Sequence, residues 1–284
     1  MMKKFITLAV FCMVMGMTVV SCSKDDDPSQ SDKKPSGAVE ETAKLSDFGG
    51  MRLTEIADHA KFVYNDKGAL VETSDGYSTV KIDYKKGTVT FEEEGFSQEN
   101  HFKVDKQGRL TSLTFSGEDE GGDLEYRFKY NDAGHLVQQT YHSESSEDRW
   151  AHDLTVDYMW DGDLLVKITE TEKETQGDRV ESSTKVSTLS YEAAPDNKYM
   201  QYSAVLVSYM ELDSSFGGVA CVGLLGKGPS KYPTAISYSY EDSTEASKGI
   251  KYTLNSEGLL EKEEVRHEEG GSYVDAYTYR YTKN

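Results

Sequence analysis

The sequence predicts an all-β protein, an antiparallel β-meander of about 12–16 strands that forms a barrel-like or strongly curved sheet. Three observations predict it. First, one phrase recurs: VYNDKGALVET at 63–73, KVDKQGRLTSL at 103–113, KYNDAGHLVQQTY at 129–141 and TLNSEGLLEKE at 253–263. Asn and Asp initiate turns through side-chain bonds to the nearby backbone, and Gly supplies a positive φ, so each phrase reads as a hairpin. Second, the flanks alternate with period two. In Tyr126-Arg127-Phe128-Lys129-Tyr130 the aromatics share one face and the cations the other, and 80–84, 154–158 and 250–254 behave alike. Third, no helical period runs beyond two turns.

The elements follow in chain order. Lys3 and Lys4 precede an apolar stretch from Phe5 to Val20 that is too short for a comfortable membrane span. Val19-Val20-Ser21-Cys22 resembles a bacterial lipobox, which makes 1–21 a lipoprotein signal peptide and Cys22 the lipid attachment site. Residues 22–45 read as a flexible acidic tether. Within it, Ser23-Lys24-Asp25-Asp26-Asp27 resembles the acidic signal that sends Bacteroides-group lipoproteins to the cell surface. A single domain is expected over 46–284. Its turns fall near 66–68, 85–87, 105–108, 131–134, 161–163 and 255–258, and polar loops at 116–123 and 143–148 make opposite-end connections. The segment 193–233 breaks the pattern. It holds a glycine cluster and the apolar run from Val219 to Leu225, and it reads as a short helix and loop packed on the sheet or as a plug over one end of a barrel.

Composition excludes some functions. Fifty Asp and Glu stand against 31 Lys and Arg, so a nucleic-acid partner is not expected. Hydrophobic residues make up 37% of the chain and there are 19 Tyr, too much apolar matter for a disordered one. Of the three cysteines, Cys12 lies in the signal peptide, Cys22 takes the lipid, and Cys221 sits in an apolar context as a small buried hydrophobe.

The search for chemistry gives no catalytic residue. No pair among His59, His101, His135, His142, His152 and His267 has helical metal-site spacing, and no cysteine supports them, so no metal site is expected and all six read as surface or satisfied histidines. The NDKG and NDAG turns lack the alternating ligands of an EF-hand loop. There is no Gly-x-Ser-x-Gly elbow and no phosphate cradle, and no cofactor is expected. Glu92–Glu94 and Glu268-Glu269 read as solvated edges or loops, while paired carboxylates for glycoside hydrolysis stay open because their spacing is a three-dimensional fact. Trp150 and Trp160 are an even number of residues apart on one expected strand and share a face. They are the candidate ligand-stacking residues, with core packing the favoured reading.

The Tyr-Asn-Asp-x-Gly-x-Leu units resemble the tyrosine-aspartate repeats of large bacterial β-shell proteins. With the lipobox, hairpins over about 45–191, Leu224-Leu225-Gly226, the run Lys231-Tyr232-Pro233-Thr234-Ala235-Ile236 and a closing Gly258-Leu259-Leu260 hairpin, the whole resembles a family of Bacteroides-group lipoproteins described as a domain of unknown function with a porin-like fold. That resemblance implies a β-barrel-like fold and a cell-envelope location, and it implies no activity or catalytic residue. Apolar faces rich in Tyr, strands charged at alternate positions and a lipid anchor favour a tethered barrel in water over a membrane-spanning one. The expectation is a non-enzymatic lipoprotein of the outer membrane, facing the cell surface, with a glycan or small apolar ligand in the barrel mouth. A large exposed apolar patch would instead favour a partner subunit of an outer-membrane complex. Two facing buried carboxylates in a cleft would favour a glycan hydrolase.

Overall fold

The computed structural model describes residues 38–115, 124–145, 150–210, 217–240, 243–244, 248–266 and 273–284. Helix α1 (Ala38–Leu45) comes first. The strands then run β1 (Met51–Ile56), β2 (Ala60–Tyr64), β3 (Leu70–Ser74), β4 (Thr79–Asp83), β5 (Thr88–Glu93), β6 (Phe96–Val104), β7 (Leu110–Phe115), β8 (Leu124–Tyr130), β9 (Leu136–Ser145), β10 (Trp150–Asp161), β11 (Leu164–Gln176) and β12 (Arg179–Ser190). Helices α2 (Ala204–Ser208) and α3 (Gly217–Cys221) interrupt the meander. It resumes with β13 (Ala235–Tyr240), β14 (Ser243–Thr244), β15 (Lys248–Leu254), β16 (Leu260–Arg266) and β17 (Tyr273–Lys283).

Each strand pairs antiparallel with its neighbour in sequence, and β17 pairs with β1 to close the ring. The two-residue β14 hangs on β13, which also pairs with β15, so the wall is a closed 16-stranded barrel. The fold is the expected meander, at the upper end of the expected strand count.

The recurring phrase is one turn built four times. Oδ1 of Asn65 accepts from the N–H groups of Lys67 and Ala69, at 3.0 and 3.1 Å. Asp105 does the same for Gln107 and Arg109, and Asn255 for Glu257 and Leu259. Asn131 accepts from His135 at 2.9 Å. The glycines Gly68, Gly108, Gly134 and Gly258 have φ between +82 and +95°, which an L side chain resists. A bulge follows every copy, with register shifts where Tyr64 meets Leu70, Val104 meets Leu110, Tyr130 meets Leu136 and Leu254 meets Leu260. Aromatic donors reach carbonyls at such irregularities. Tyr64 donates to Leu53 O at 2.7 Å, Tyr130 to Leu110 O at 2.6 Å, Trp160 to Leu136 O at 2.8 Å and Tyr191 to Leu165 O at 2.8 Å.

The polarity of the wall is the reverse of a membrane-spanning barrel. The inward face is apolar and buried, with Leu53, Phe62, Val80, Leu113, Tyr126, Phe128, Val156, Ile168, Ile236 and Ile250 among its residues. The outward face carries charge. Lys81 pairs with Glu92 at 2.7 Å, and Arg127 with Glu125 at 2.7 Å.

The irregular segment is a plug. Val205, Leu206, Met210, Val219, Cys221, Val222 and Leu225 are buried in the same core as the strands. Backbone bonds tie the segment to the end of the barrel that carries the repeated turns: Leu110 N to Leu224 O at 2.9 Å, Lys227 N to Gly134 O at 3.0 Å and Ser230 N to Asp163 O at 2.9 Å. Asn197 joins the two legs of the plug, donating to Gln201 O and Pro229 O at 2.7 and 2.8 Å.

Residues 38–45, expected to be flexible, form helix α1 instead. Charged Glu40, Glu41 and Lys44 disguise a helical stripe of Val39, Thr42 and Ala43. That stripe packs on Ala69, Tyr84, Ile82 and Phe102, and Ser46 beyond it donates to Val222 O at 3.2 Å. Thus α1 and the plug cover the same end of the barrel.

Gly226 tests this closure. Its φ is +81°, and a Cβ there would meet Gly134 O at 2.4 Å. Gly226→Ala is expected to cost at least about 2 kcal/mol, read as a melting temperature lower by roughly 4–8 °C. An unchanged melting curve would show that the plug does not grip the wall there.

Candidate functional site

Away from the plug, the longest strands, β9 to β12, carry the wall farthest, and this end of the wall is the mouth of the described barrel. Their inward faces grade from core to water. On β10 the inward residues run from Tyr158 and Val156, both buried, through Leu154 to His152 and Trp150. In register with them, β11 presents Ile168, Glu170, Glu172, Glu174 and Gln176. Next, β12 presents Ser187, Lys185, Ser183, Glu181 and Arg179. Tyr238 and Tyr240 on β13 continue the lining, and Tyr240 is 44% exposed although it faces inward. Water therefore reaches the inner wall at this end.

The lining joins aromatic rings to carboxylates. Tyr126 packs on Tyr141 at 4.9 Å between centroids, Tyr141 meets His152 edge-on at 5.3 Å, and Trp150 lies 6.0 Å from His152. His152 Nε2 lies 2.8 Å from Glu172 Oε1, and Lys185 lies 3.4 Å from Glu170. Lys248 sits over the rings of Tyr209 and Tyr238, at 5.5 and 5.6 Å, so the end of α2 forms the floor of the mouth.

The two tryptophans share the inward face, but only Trp150 lines the mouth. Trp160 lies at the closed end. There it stacks on His135 with centroids 4.0 Å apart, and its N–H is spent on Leu136 O. His135 is fully buried, with ring nitrogens 3.0 Å from Lys227 O and 2.8 Å from Asp163 Oδ1, so it is a satisfied structural residue. His142 faces outward beside Asp153, His59 packs at a tilt against Tyr277, and His101 is exposed. Cys22 and His267 lie outside the described residues. Cys221 is buried, and burial pushes its thiol well above the ordinary range, so it is inert as a nucleophile.

The fold has counterparts among solved structures. The crystal structure of a porin-like protein from Bacteroides uniformis aligns over 82% of this chain and 95% of that one, with a TM-score of 0.52 and 16% identity. A porin-like protein from Bacteroides vulgatus aligns over 78% and 92%, with a TM-score of 0.53 and 15% identity. The likeness is one of fold. No family model and no curated protein matches the chain.

One residue that sequence reasoning missed lies beneath the floor. Glu263 on β16 is fully buried inside the barrel. Its Oε1 accepts from the Val205 N–H at 3.0 Å and from the Tyr279 hydroxyl, which itself accepts from the Ala204 N–H at 2.7 Å. Glu263 thereby ties the first turn of α2 to the wall. In the sequence it hides within the run LEKEEVRHEE. Its signal is its parity with Val265, which also faces inward.

Burial pushes the Glu263 carboxyl from 4.5 up to about 7, against the hydrogen bonds from Tyr279, Val205, Ser203 and Ala204 that favour the anion. A carboxyl raised on folding stabilises the fold while protonated. That contribution is complete below the unfolded value and is lost as pH rises through the folded one. The loss between about pH 4.5 and pH 7–8 is about 3 kcal/mol. Glu263→Gln, which keeps the acceptor and cannot ionise, is expected to flatten this slope in urea melts at pH 5, 6, 7 and 8. Equal slopes in both proteins would show that Glu263 does not titrate inside the fold.

Proposed function

We propose that the protein is a non-enzymatic, lipid-anchored envelope protein that holds a neutral glycan in the open mouth of its barrel. One observation carries the reading: the inner wall of the mouth is wet and presents aromatic rings beside carboxylates on paired strands. Rings of the Trp150 and Tyr141 type pack against the C–H faces of sugars, and carboxylates accept from hydroxyls. Rigid paired strands suit such a site, because little order is lost on binding. The acidic lining, from Glu170 to Glu181, disfavours anionic ligands and so narrows the expected glycan or small apolar molecule toward the glycan.

The location belongs to the same reading. Cys22 carries the lipid, the stretch before α1 is the tether, and the acidic run after Cys22 directs the domain to the cell surface. The polar outer wall suits a barrel held at a membrane by its lipid rather than one set within the bilayer. Porin-like barrels of similar fold support an envelope setting.

The rival readings fit less well. A partner subunit needs a contiguous apolar patch, whereas among the described residues the exposed large hydrophobics are dispersed: Val63, Met159 and Val180 on the outer faces of β2, β10 and β12, Tyr77 in the β3–β4 turn, and Phe96 and Tyr240 facing the mouth. A hydrolase needs carboxylates that oppose each other across the scissile bond. Here Glu172 and Glu174 stand side by side on β11, and Glu263 is sealed from solvent.

Calorimetric titration with neutral oligosaccharides and polysaccharides, with a chelator present, tests the proposal. A saturable glycan signal is expected, weakened at least tenfold by Trp150→Ala with the melting temperature held, about 1.4 kcal/mol of stacking. A flat response across neutral glycans in a well-folded sample would overturn it.

A further inference from the structure

We propose that His152, Glu172 and Glu174 form a divalent-cation site of the zinc class on the inner wall of the barrel mouth. Strand pairing brings them together. His152 on β10 lies directly opposite Glu174 on β11, and Glu172 is the next inward residue along that strand. One ligand atom from each lies within 4.8 Å of the others. Tetrahedral zinc with bonds of about 2.0–2.1 Å separates its donors by roughly 3.4 Å. The 2.8 Å between His152 Nε2 and Glu172 Oε1 is already near that separation, and the exposed Glu174 is free to close the remainder.

The present contact between His152 and Glu172 is not a formed hydrogen bond. Nε2 of His152 is buried and has no hydrogen-bond partner, despite its closeness to Oε1. The ring is 19% exposed and approaches the carboxylate at ion-pair distance without hydrogen-bond geometry, which leaves the bonding capacity of Nε2 unfilled. A cation supplies that partner.

The electrostatics agree. Glu170 has Lys185 and Glu181 has Arg179, but among the described residues no Lys or Arg pairs with Glu172 or Glu174. Glu174 also stands directly opposite Glu181, a like-charge pair that destabilises a sheet. A dication between Glu172 and Glu174 removes this conflict.

The surroundings support the ligands. Ser183 Oγ lies 3.4 Å from Glu172 Oε2, and the His152 ring is held between Tyr141 and Trp150. One imidazole with two carboxylates suits zinc or its neighbours, whereas calcium seeks six to eight oxygens. Three protein ligands leave a coordination position open to the mouth.

The test is independent of the glycan proposal. The full chain, made metal-free, is titrated with Zn2+ by calorimetry and with Co2+ by visible absorption. One Zn2+ per chain is expected, with cobalt bands of four- or five-coordinate geometry. His152→Ala and Glu174→Gln should each weaken binding at least tenfold, and Glu174 is exposed, so its variant keeps the fold. His142→Ala, on the outer wall, should leave binding unchanged. No saturable Zn2+ binding, binding unchanged in Glu174→Gln, or loss in His142→Ala would each overturn the proposal.

Discussion

Everything in this molecule depends on a single bulged turn. An Asn or Asp folds its side chain onto the following backbone, a glycine takes the left-handed conformation, and the bulge that follows twists the hairpin. Sixteen strands close only if they tilt and curve together. Repeated bulges at one rim bend the strands in the same sense each time. The bulges also disturb the ladder, and a disturbed ladder needs other donors. The tyrosines and Trp160 that reach Leu53, Leu110, Leu136 and Leu165 provide them. This explains why aromatic residues with polar tips, rather than Phe or Leu, end so many strands.

A barrel of this width cannot fill itself with side chains from its wall, since eight strands already leave an interior that side chains just fill. The chain solves this with an insert. The plug brings buried Val, Leu and Tyr to the inner face and satisfies its own backbone against the turns of the same rim. The price is Glu263, an acid in the core at the first turn of a five-residue helix. Such a group fixes the position of α2 in a way that a leucine could not, because its bonds to Val205 and Tyr279 have direction.

The architecture was legible because its signals are local. Asn-x-x-Gly spacing and alternation gave the hairpins, and the break at 193–233 located the plug. The faces beyond each bulge were not legible. At the turn Asp161-Gly162-Asp163, reflecting the strands from the pairs Asp161 with Leu164 and Trp160 with Leu165 would set His152 against Lys173. The shift between Met159 and Trp160 sets it against Glu174. Likewise, reflection from Leu254 and Leu260 would set Tyr252 against Lys262, and the bulge after Thr253 sets it against Glu263. One inserted residue exchanges a basic neighbour for an acidic one. Helix α1 escaped for a different reason. Its apolar stripe is three residues of modest size, and burial against Tyr84 and Phe102 gives it meaning that composition does not.

The same bulges therefore couple shape to chemistry. Between Trp150 and Asp157, strand β10 sits in unbroken register with β9 and β11, so every second residue points inward at constant spacing. The inward series passes from Val156 to Trp150 without a change of face. Water meets it partway, where Leu154 gives way to His152, and on β11 where Ile168 gives way to Glu170. Polar residues begin deeper on β11, at Glu170 opposite Val156, than on β10, where His152 lies opposite Glu174, and both lie above the level that the plug seals. A wall that needed only to close would have no reason to turn acidic and aromatic on its inner face above that level. The lining above the plug is where this fold has room for a task other than holding itself together.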